Sequence, residues 1–158
     1  MYLAQLNIAR MLAPIGSPVM ADFVARLEKV NAQAEVSPGF VWRLKDEYGT
    51  GALDQRIFGD DMLLVNVSVW INIEALHAFV FGQFDHRQAL QSRRSWFEVV
   101  DEPMVVCWWV LPDHRPTIAE AEVKIRELRE NGPTREAFPF KVPINPEFLY
   151  ENRWHEGR

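Results

Sequence analysis

The segment "PMVVCWWV" at positions 103–110 restricts the fold more than any other part of the chain. Its short apolar run, rich in β-branched and aromatic residues, is typical of a β-strand. Both faces of this strand are apolar: Val105, Cys107 and Trp109 on one, and Met104, Val106, Trp108 and Val110 on the other. A strand that is apolar on both faces needs cover on both sides of its sheet.

The remaining periodicities set the order of the elements. Period-two patterns predict three further strands, at 2–9, 40–46 and 62–70. Apolar residues at helical spacing predict helices over about 18–34, after Asn72, from Asp85, and after the capping box "TIAE" at 117–120. Ser17 and Asn72 are the expected N-caps of the first two helices, and Gly132 and Pro133 end the last one.

This order is strand, helix, strand, strand, helix, strand, followed by an extra helix. It is the split βαβ order of an α+β, ferredoxin-like fold, with one four-stranded antiparallel sheet and helices on one face. The other face would be bare, and a second copy of the chain is the simplest cover, which predicts a two-fold homodimer. We divide the chain into a domain at 1–132 and a proline-rich, irregular arm at 133–158 that packs on the body or on the partner subunit.

Charge and composition exclude several classes of function. The net charge of −5 disfavours a general nucleic-acid-binding surface, and no apolar run approaches the roughly 20 residues of a membrane span. The single cysteine, Cys107, suggests a reducing compartment, and "MYLAQLNIAR" does not read as a signal peptide, so we expect a cytoplasmic protein. We expect no metal, because the chain has no zinc-spaced Cys/His cluster.

One strand carries an unexpected set of polar side chains. In "MLLVNVSVW" at 62–70, Asn66, Ser68 and Trp70 share one face, and no Lys, Glu or Arg interrupts the run. An ordinary solvent-exposed face usually carries long charged side chains, whereas short polar groups are readily satisfied inside a protein. We therefore expect this face to be enclosed in the dimer, as part of a ligand pocket or of the subunit interface.

Five segments together resemble a known family: "LAQLNIAR", "SPGFVWRL", "LLVNVSVWINIEALHAFVF", "RRSWFE" and "WWVLPDHRPTIAEA". They are similar to a bacterial family of uncharacterised proteins among the dimeric α+β barrels, near the antibiotic-biosynthesis monooxygenases. The resemblance covers about residues 1–140. It implies kinship with cofactor-independent oxidases of polycyclic phenols and with haem-degrading monooxygenases, and we expect no cofactor. Other members of the fold are lyases, isomerases or ligand sensors.

The resemblance also implies site residues. Quinone-forming monooxygenases use an Asn and a Trp four residues apart on one strand, and Asn66 and Trp70 have that spacing. Haem-degrading relatives use an Asn on the first strand, a Trp in the second helix and a His further along. Asn7 and His86 suit the first and last of these roles, but the middle position falls near Phe79, which departs from the haem-cleaving pattern.

Each candidate has a chemical role and a structural alternative. His86 would take a proton from a phenol, or it is a surface or capping histidine. Asn7 would donate to a substrate oxygen or bond a helix end. Trp96 would form a pocket wall or seal the core.

The remaining candidates also have both a functional and a structural explanation. Arg87, with Arg93 and Arg94, would receive a carboxylate or belongs to a solvated helix face. His77 is expected to be peripheral.

Two functions remain open at this point. The first is a dimeric, cofactor-independent, monooxygenase-like enzyme that oxidises a small aromatic substrate, with His86, Asn7 and Asn66 as catalytic residues and Trp70, Phe79, Trp96 and Arg87 as substrate-binding residues. The second is a non-catalytic dimer of the same fold that binds a small apolar or haem-like ligand. An ionisable His86 near two amides favours the enzyme, and the shortage of other titratable groups in apolar segments favours the binding protein.

Overall fold

The computed structural model describes residues 1–46, 54–82 and 92–141. The elements are β1 (Tyr2–Arg10), α1 (Ala21–Glu35), β2 (Phe40–Arg43), β3 (Leu63–Trp70), α2 (Ile73–Gly82), β4 (Val105–Val110) and α3 (Ile118–Asn131). Single 3-10 turns occupy Pro18–Met20 and Ser92–Ser95. The helical segment predicted from Asp85 falls mostly outside the described residues. Within these ranges, no helix combines the length and the apolar composition needed to cross a membrane.

The four strands form one antiparallel sheet in the order β2-β3-β1-β4. This order confirms the ferredoxin-like α+β fold predicted from the sequence. β1 lies in the middle of the sheet and pairs with β3 on one side and β4 on the other. Its register places Gln5 opposite Ser68 and Asn7 opposite Asn66. Directly opposed residues point to the same face of a sheet, so the polar residues of β3 stand beside polar residues of β1.

Two of the three predicted helix caps are confirmed. The Asn72 side chain accepts a hydrogen bond from the Ala75 amide at 2.8 Å, and the Thr117 hydroxyl accepts one from the Glu120 amide at 3.1 Å. Ser17 occupies an N-cap position with Pro18 after it, as predicted, but the cap belongs to the 3-10 turn and its side chain makes no capping hydrogen bond. Its backbone carbonyl bonds the Met20 amide in the 3-10 turn that precedes α1, and its hydroxyl is buried with no partner in the described part of the chain.

Helix α3 covers the sheet face that lies opposite α1 and α2. Its apolar side chains Ala121, Ile125 and Leu128 belong to the same buried cluster as Leu6 and Trp108 of the sheet. The chain itself therefore covers part of the face for which the sequence suggested a second copy. Trp42 of β2 and Leu44 just after it, which pack against the same cluster, are only half-buried, and the homodimer stays a prediction.

The start of the C-terminal segment pairs with the free edge of β4. Cys107 and Phe138 exchange two backbone hydrogen bonds, of 2.7 and 3.0 Å, and the Phe138 side chain is fully buried. Burial raises the pKa of the Cys107 thiol to about 12, so this cysteine is a core residue without thiolate chemistry near neutrality. The rest of the predicted arm, residues 142–158, lies outside the described residues.

Candidate functional site

The helix-facing side of the sheet carries two apolar clusters. At one end, Leu3 and Trp70 pack with Leu76 and Phe79 of α2. At the other end, Leu64 packs with Met11, Met20, Trp96 and Phe97. Between these clusters lie two rungs of polar residues, which we call the polar floor: Gln5, Asn7, Asn66 and Ser68.

A cleft of about 1060 Å³ opens above the polar floor. Helix α1 contributes Val30 and Asn31 to its lining, and helix α2 contributes Leu76, His77 and Phe79. The polar face of "MLLVNVSVW" therefore lies against a cavity. In the single chain Ser68 and Trp70 are buried whereas Asn66 is exposed, so enclosure of Asn66 by a second copy stays a prediction.

Hydrogen bonds satisfy one half of the polar floor. The Trp70 indole donates to the Ser68 hydroxyl at 3.0 Å, and that hydroxyl donates in turn to Gln5 Oε1 at a long 3.5 Å. The Trp70 ring also stacks on Phe79, with 5.2 Å between the ring centroids. Because the Trp70 N–H is already bonded and its ring is packed, this tryptophan shapes the floor more than it offers groups to a ligand.

The other half of the polar floor contains one unsatisfied acceptor. Asn7 Oδ1 is buried and accepts no hydrogen bond within the described residues. A buried acceptor without a donor costs stability, so native proteins rarely keep one without a function or a bound partner. Asn66, directly across the sheet, places a second amide beside it. A hydroxyl or N–H group of a ligand in the cleft would supply the missing donor.

Arg43, the buried charge among the described residues that line the cleft, is compensated. Arg43 of β2 donates through Nε to Glu35 at 2.8 Å, and Lys45 contacts the same carboxylate at 2.9 Å. The hydrogen bond from Lys45, together with that from Arg43, holds the pKa of the Glu35 carboxyl below its ordinary value. The polar floor itself contains only amides and a hydroxyl, so its electrostatics are those of neutral dipoles.

Charged side chains of both signs surround the mouth of the cleft. Arg93 is half-buried and Lys141 is exposed, while Glu74 and Asp101 are exposed acids. Neither Arg93 nor Lys141 forms an ion pair within the described ranges. The mouth of the cleft therefore carries charges of both signs, whereas the floor below it is neutral.

The structure brings four of the predicted site residues to the cleft: Asn7, Asn66, Trp70 and Phe79. Trp96 is in the other apolar cluster, 5.5 Å from the Phe23 ring by centroids, so it seals the core and does not line the cleft. His86 and Arg87 lie outside the described residues, and their roles stay predictions.

The lining also contains His77 and Asn31, which were not among the predicted site residues. His77 is exposed, in line with the peripheral position expected for it, and it contributes to the lining with its ring centroid 4.5 Å from that of Phe81. Asn31 is buried on the side of α1 that faces the sheet. The signal for Asn31 was present in the sequence: an amide interrupts the apolar stripe of α1 four residues after Leu27.

Comparisons with solved structures find chains of similar architecture. SnoaB, a cofactor-independent oxygenase from Streptomyces nogalater, is 18% identical, with a TM-score of 0.48 over 73% of this chain and 95% of its own. A protein assigned as an antibiotic biosynthesis monooxygenase from Chloroflexus aurantiacus is 13% identical, with a TM-score of 0.47 over 73% and 98%. The NE2512 protein of unknown function from Nitrosomonas europaea is also 13% identical, with a TM-score of 0.47 over 73% and 95%.

No curated protein matches the chain. One family model does match, and it spans residues 2–153 of the 158. This result agrees with the resemblance to an uncharacterised family that the sequence motifs indicated. The chain therefore belongs to the family described as a domain of unknown function, DUF3291.

Proposed function

We propose that the chain binds a flat small molecule in the cleft, with the apolar body of the ligand between the helices and a polar edge against the floor. The observation that carries this proposal is the buried, unpartnered Oδ1 of Asn7. The size of the cleft also supports it, since pockets for small ligands span roughly 300–1,000 Å³. A homodimer, predicted from the sequence, is part of the same proposal.

The lining of the cleft suits such a ligand. Leu76, Val80 and Phe140 offer apolar surface, while the neutral polar groups of the floor lie together on the sheet. Binding pockets commonly combine an apolar wall with a small number of polar groups that fix orientation. The amide pair of Asn7 and Asn66 would perform that orienting role.

The test is a binding titration with 1,8-dihydroxyanthraquinone, a flat coloured probe with hydroxyl and carbonyl groups on one edge. We expect Asn66→Leu to weaken binding by about tenfold, the cost of one lost hydrogen bond, and to leave the oligomeric state unchanged. Asn131→Leu is the matched control, because Asn131 is exposed on α3 and does not line the cleft. Equal affinity of all three proteins would contradict the proposal, as would failure of the intact chain to bind this or any other flat aromatic probe.

A second candidate function is cofactor-independent oxidation of a phenolic ligand in the same cleft. The observation that favours it is an imidazole, that of His77, in the lining that also contains the two amides. The reaction would convert a ring CH₂ group to a carbonyl with one O₂ and release one water. The enzyme's part would be to take the phenol proton, which raises the electron density that O₂ accepts. His86, predicted as the base from the sequence, stays the alternative to His77.

Oxygen uptake with 1,8-dihydroxyanthrone separates oxidation from binding alone. We expect uptake with the intact chain above the rate without protein, and a loss of at least tenfold in either His77→Gln or His86→Gln. His114→Gln is the control, since His114 lies outside the cleft lining, near the start of α3. Binding of the probe without any protein-dependent uptake would exclude the oxidase and retain the binding function.

A further inference from the structure

Asn31 has an environment that its position in α1 does not explain. The residue is only 7% exposed, and its side chain lines the cleft. Within residues 1–46, 54–82 and 92–141 it makes no side-chain hydrogen bond or other polar contact. The Asn31 amide atoms are not among the fully buried, unpartnered ones, in contrast to Asn7 Oδ1, so they stay accessible from the cleft and are available to a ligand there.

Amides therefore approach the cleft from both sides. Asn31 comes from the helix, while Gln5, Asn7 and Asn66 come from the sheet. Asn7 Oδ1 is buried and unpartnered in the described part of the chain, and Gln5 uses only its Oε1, which accepts the long bond from Ser68. A carboxamide presents a donor beside an acceptor, so it pairs best with a ligand edge that presents the complementary two groups.

The charges around the cleft limit the ligand further. The buried cation Arg43 is already held by Glu35 at 2.8 Å, and none of the four residues of the polar floor is ionisable. An anionic or cationic group buried against these amides would lose its hydration without gaining a counter-charge. The part of the ligand that enters the floor is therefore neutral.

We propose that Asn31 is a specificity-determining residue, and that the cleft selects a planar ligand with uncharged, hydrogen-bonding edges that carry a donor beside an acceptor. This inference rests on the proposed binding function and names the ligand class of that site. Two kinds of molecule share this chemistry: heteroaromatic rings with a lactam edge, and phenolic ketones with a hydroxyl beside a carbonyl. Asn31 binds the edge that faces α1, and the sheet amides bind the edge that faces the floor.

The experiment measures the affinities of three flat probes for the intact chain and for Asn31→Leu. Lumichrome carries lactam edges, 1,8-dihydroxyanthraquinone carries hydroxyl and carbonyl groups, and pyrene carries no polar edge. We expect at least one edge-bearing probe to bind about tenfold or more tighter than pyrene. Asn31→Leu should remove about tenfold of that affinity and leave pyrene binding unchanged. The probe that loses affinity identifies which of the two chemistries the site takes.

Thermal unfolding distinguishes this role from a structural one. If Asn31 serves a ligand, Asn31→Leu keeps or raises the melting temperature, because within the described residues the amide makes no hydrogen bond that the leucine would remove. Asn131→Leu, on the exposed face of α3, is the matched control and should change neither the affinities nor their ratio. Asn31→Ala is the second variant should the leucine prevent folding, with the same expected loss for the edge-bearing probes.

The possible failures are distinguishable. If pyrene binds and Asn31→Leu leaves every affinity unchanged, the role of Asn31 is wrong while the binding function stands. A lowered melting temperature with an equal loss for all three probes would show a structural role and overturn the inference. If none of the probes binds to the intact chain, the binding function and this inference both fail.

Discussion

Trp108 shows at the residue scale how one side chain can join two layers. It is 2% exposed, and it lies on the face of β4 that α3 covers. Its indole donates to Glu120 Oε1 at 2.8 Å, and the other oxygen of that carboxylate contacts His114 Nε2 at 2.6 Å. Glu120 thus ties the first turn of α3 to the sheet, in addition to its place in the capping box.

We expect Trp108→Ala to lower the free energy of unfolding by about 3–5 kcal/mol, because it empties a large buried site. Denaturant titration measures this loss. Val123→Ala is the control, since Val123 is 60% exposed on the outer side of α3 and should cost less than about 0.5 kcal/mol. A loss of stability below about 1 kcal/mol for Trp108→Ala would mean that α3 does not bury this face of β4.

At the scale of elements, the turn between α1 and β2 fixes how closely α2 approaches the sheet. Gly39 has a left-handed φ of +84°, and its carbonyl accepts the Ile71 amide at 2.8 Å. A Cβ on Gly39 would lie 2.5 Å from Ala75 Cβ and 2.8 Å from Ile71 Cγ1. A glycine is therefore required for two reasons: the left-handed backbone conformation and the close approach of the start of α2.

Gly39→Ala should destabilise the chain by at least about 2 kcal/mol, the sum of a left-handed backbone penalty and a forced shift of α2. Chemical unfolding again provides the measurement. Gly16→Ala is the matched control, because nothing lies within 4 Å of its Cβ position and its φ is not left-handed. If the two variants are equally stable, α2 is free to move away from the turn.

At the scale of the whole molecule, the sheet separates two layers of different character. On the α3 side, the sheet contributes buried apolar residues such as Leu6, Val67 and Trp108. On the side of α1 and α2, two apolar clusters leave the polar floor between them. One side therefore supplies stability, and the other keeps a cleft.

The homodimer predicted from the sequence is tested by sedimentation velocity at micromolar concentration. Since α3 packs on the β4 side of the sheet face first assigned to a partner, we expect a dimer to use a surface other than the outer side of α3, and to survive Val123→Asp there. Two chains per sedimenting particle for both proteins is the expected result. A particle with the mass of one chain would contradict the homodimer.

The sequence by itself determined the elements and their order. Period-two and helical patterns located four strands and three helices of the described chain, because local periodicity reports which face of an element is buried. Asn72 and Thr117 capped as predicted, since capping depends only on neighbouring residues. The same local patterns indicated that Asn66, Ser68 and Trp70 share a strand face that carries no long charged side chain.

Only the tertiary structure decided which layer each face meets. The stripe of Ile125 and Leu128 predicted a helix, but no local pattern said that it would cross to the open side of the sheet. Asn31 and His77 joined the cleft, and Trp96 left it, because these placements depend on the packing of α1, α2 and β1 against one another. Periodicity describes one element at a time, whereas a cleft exists only where several elements meet.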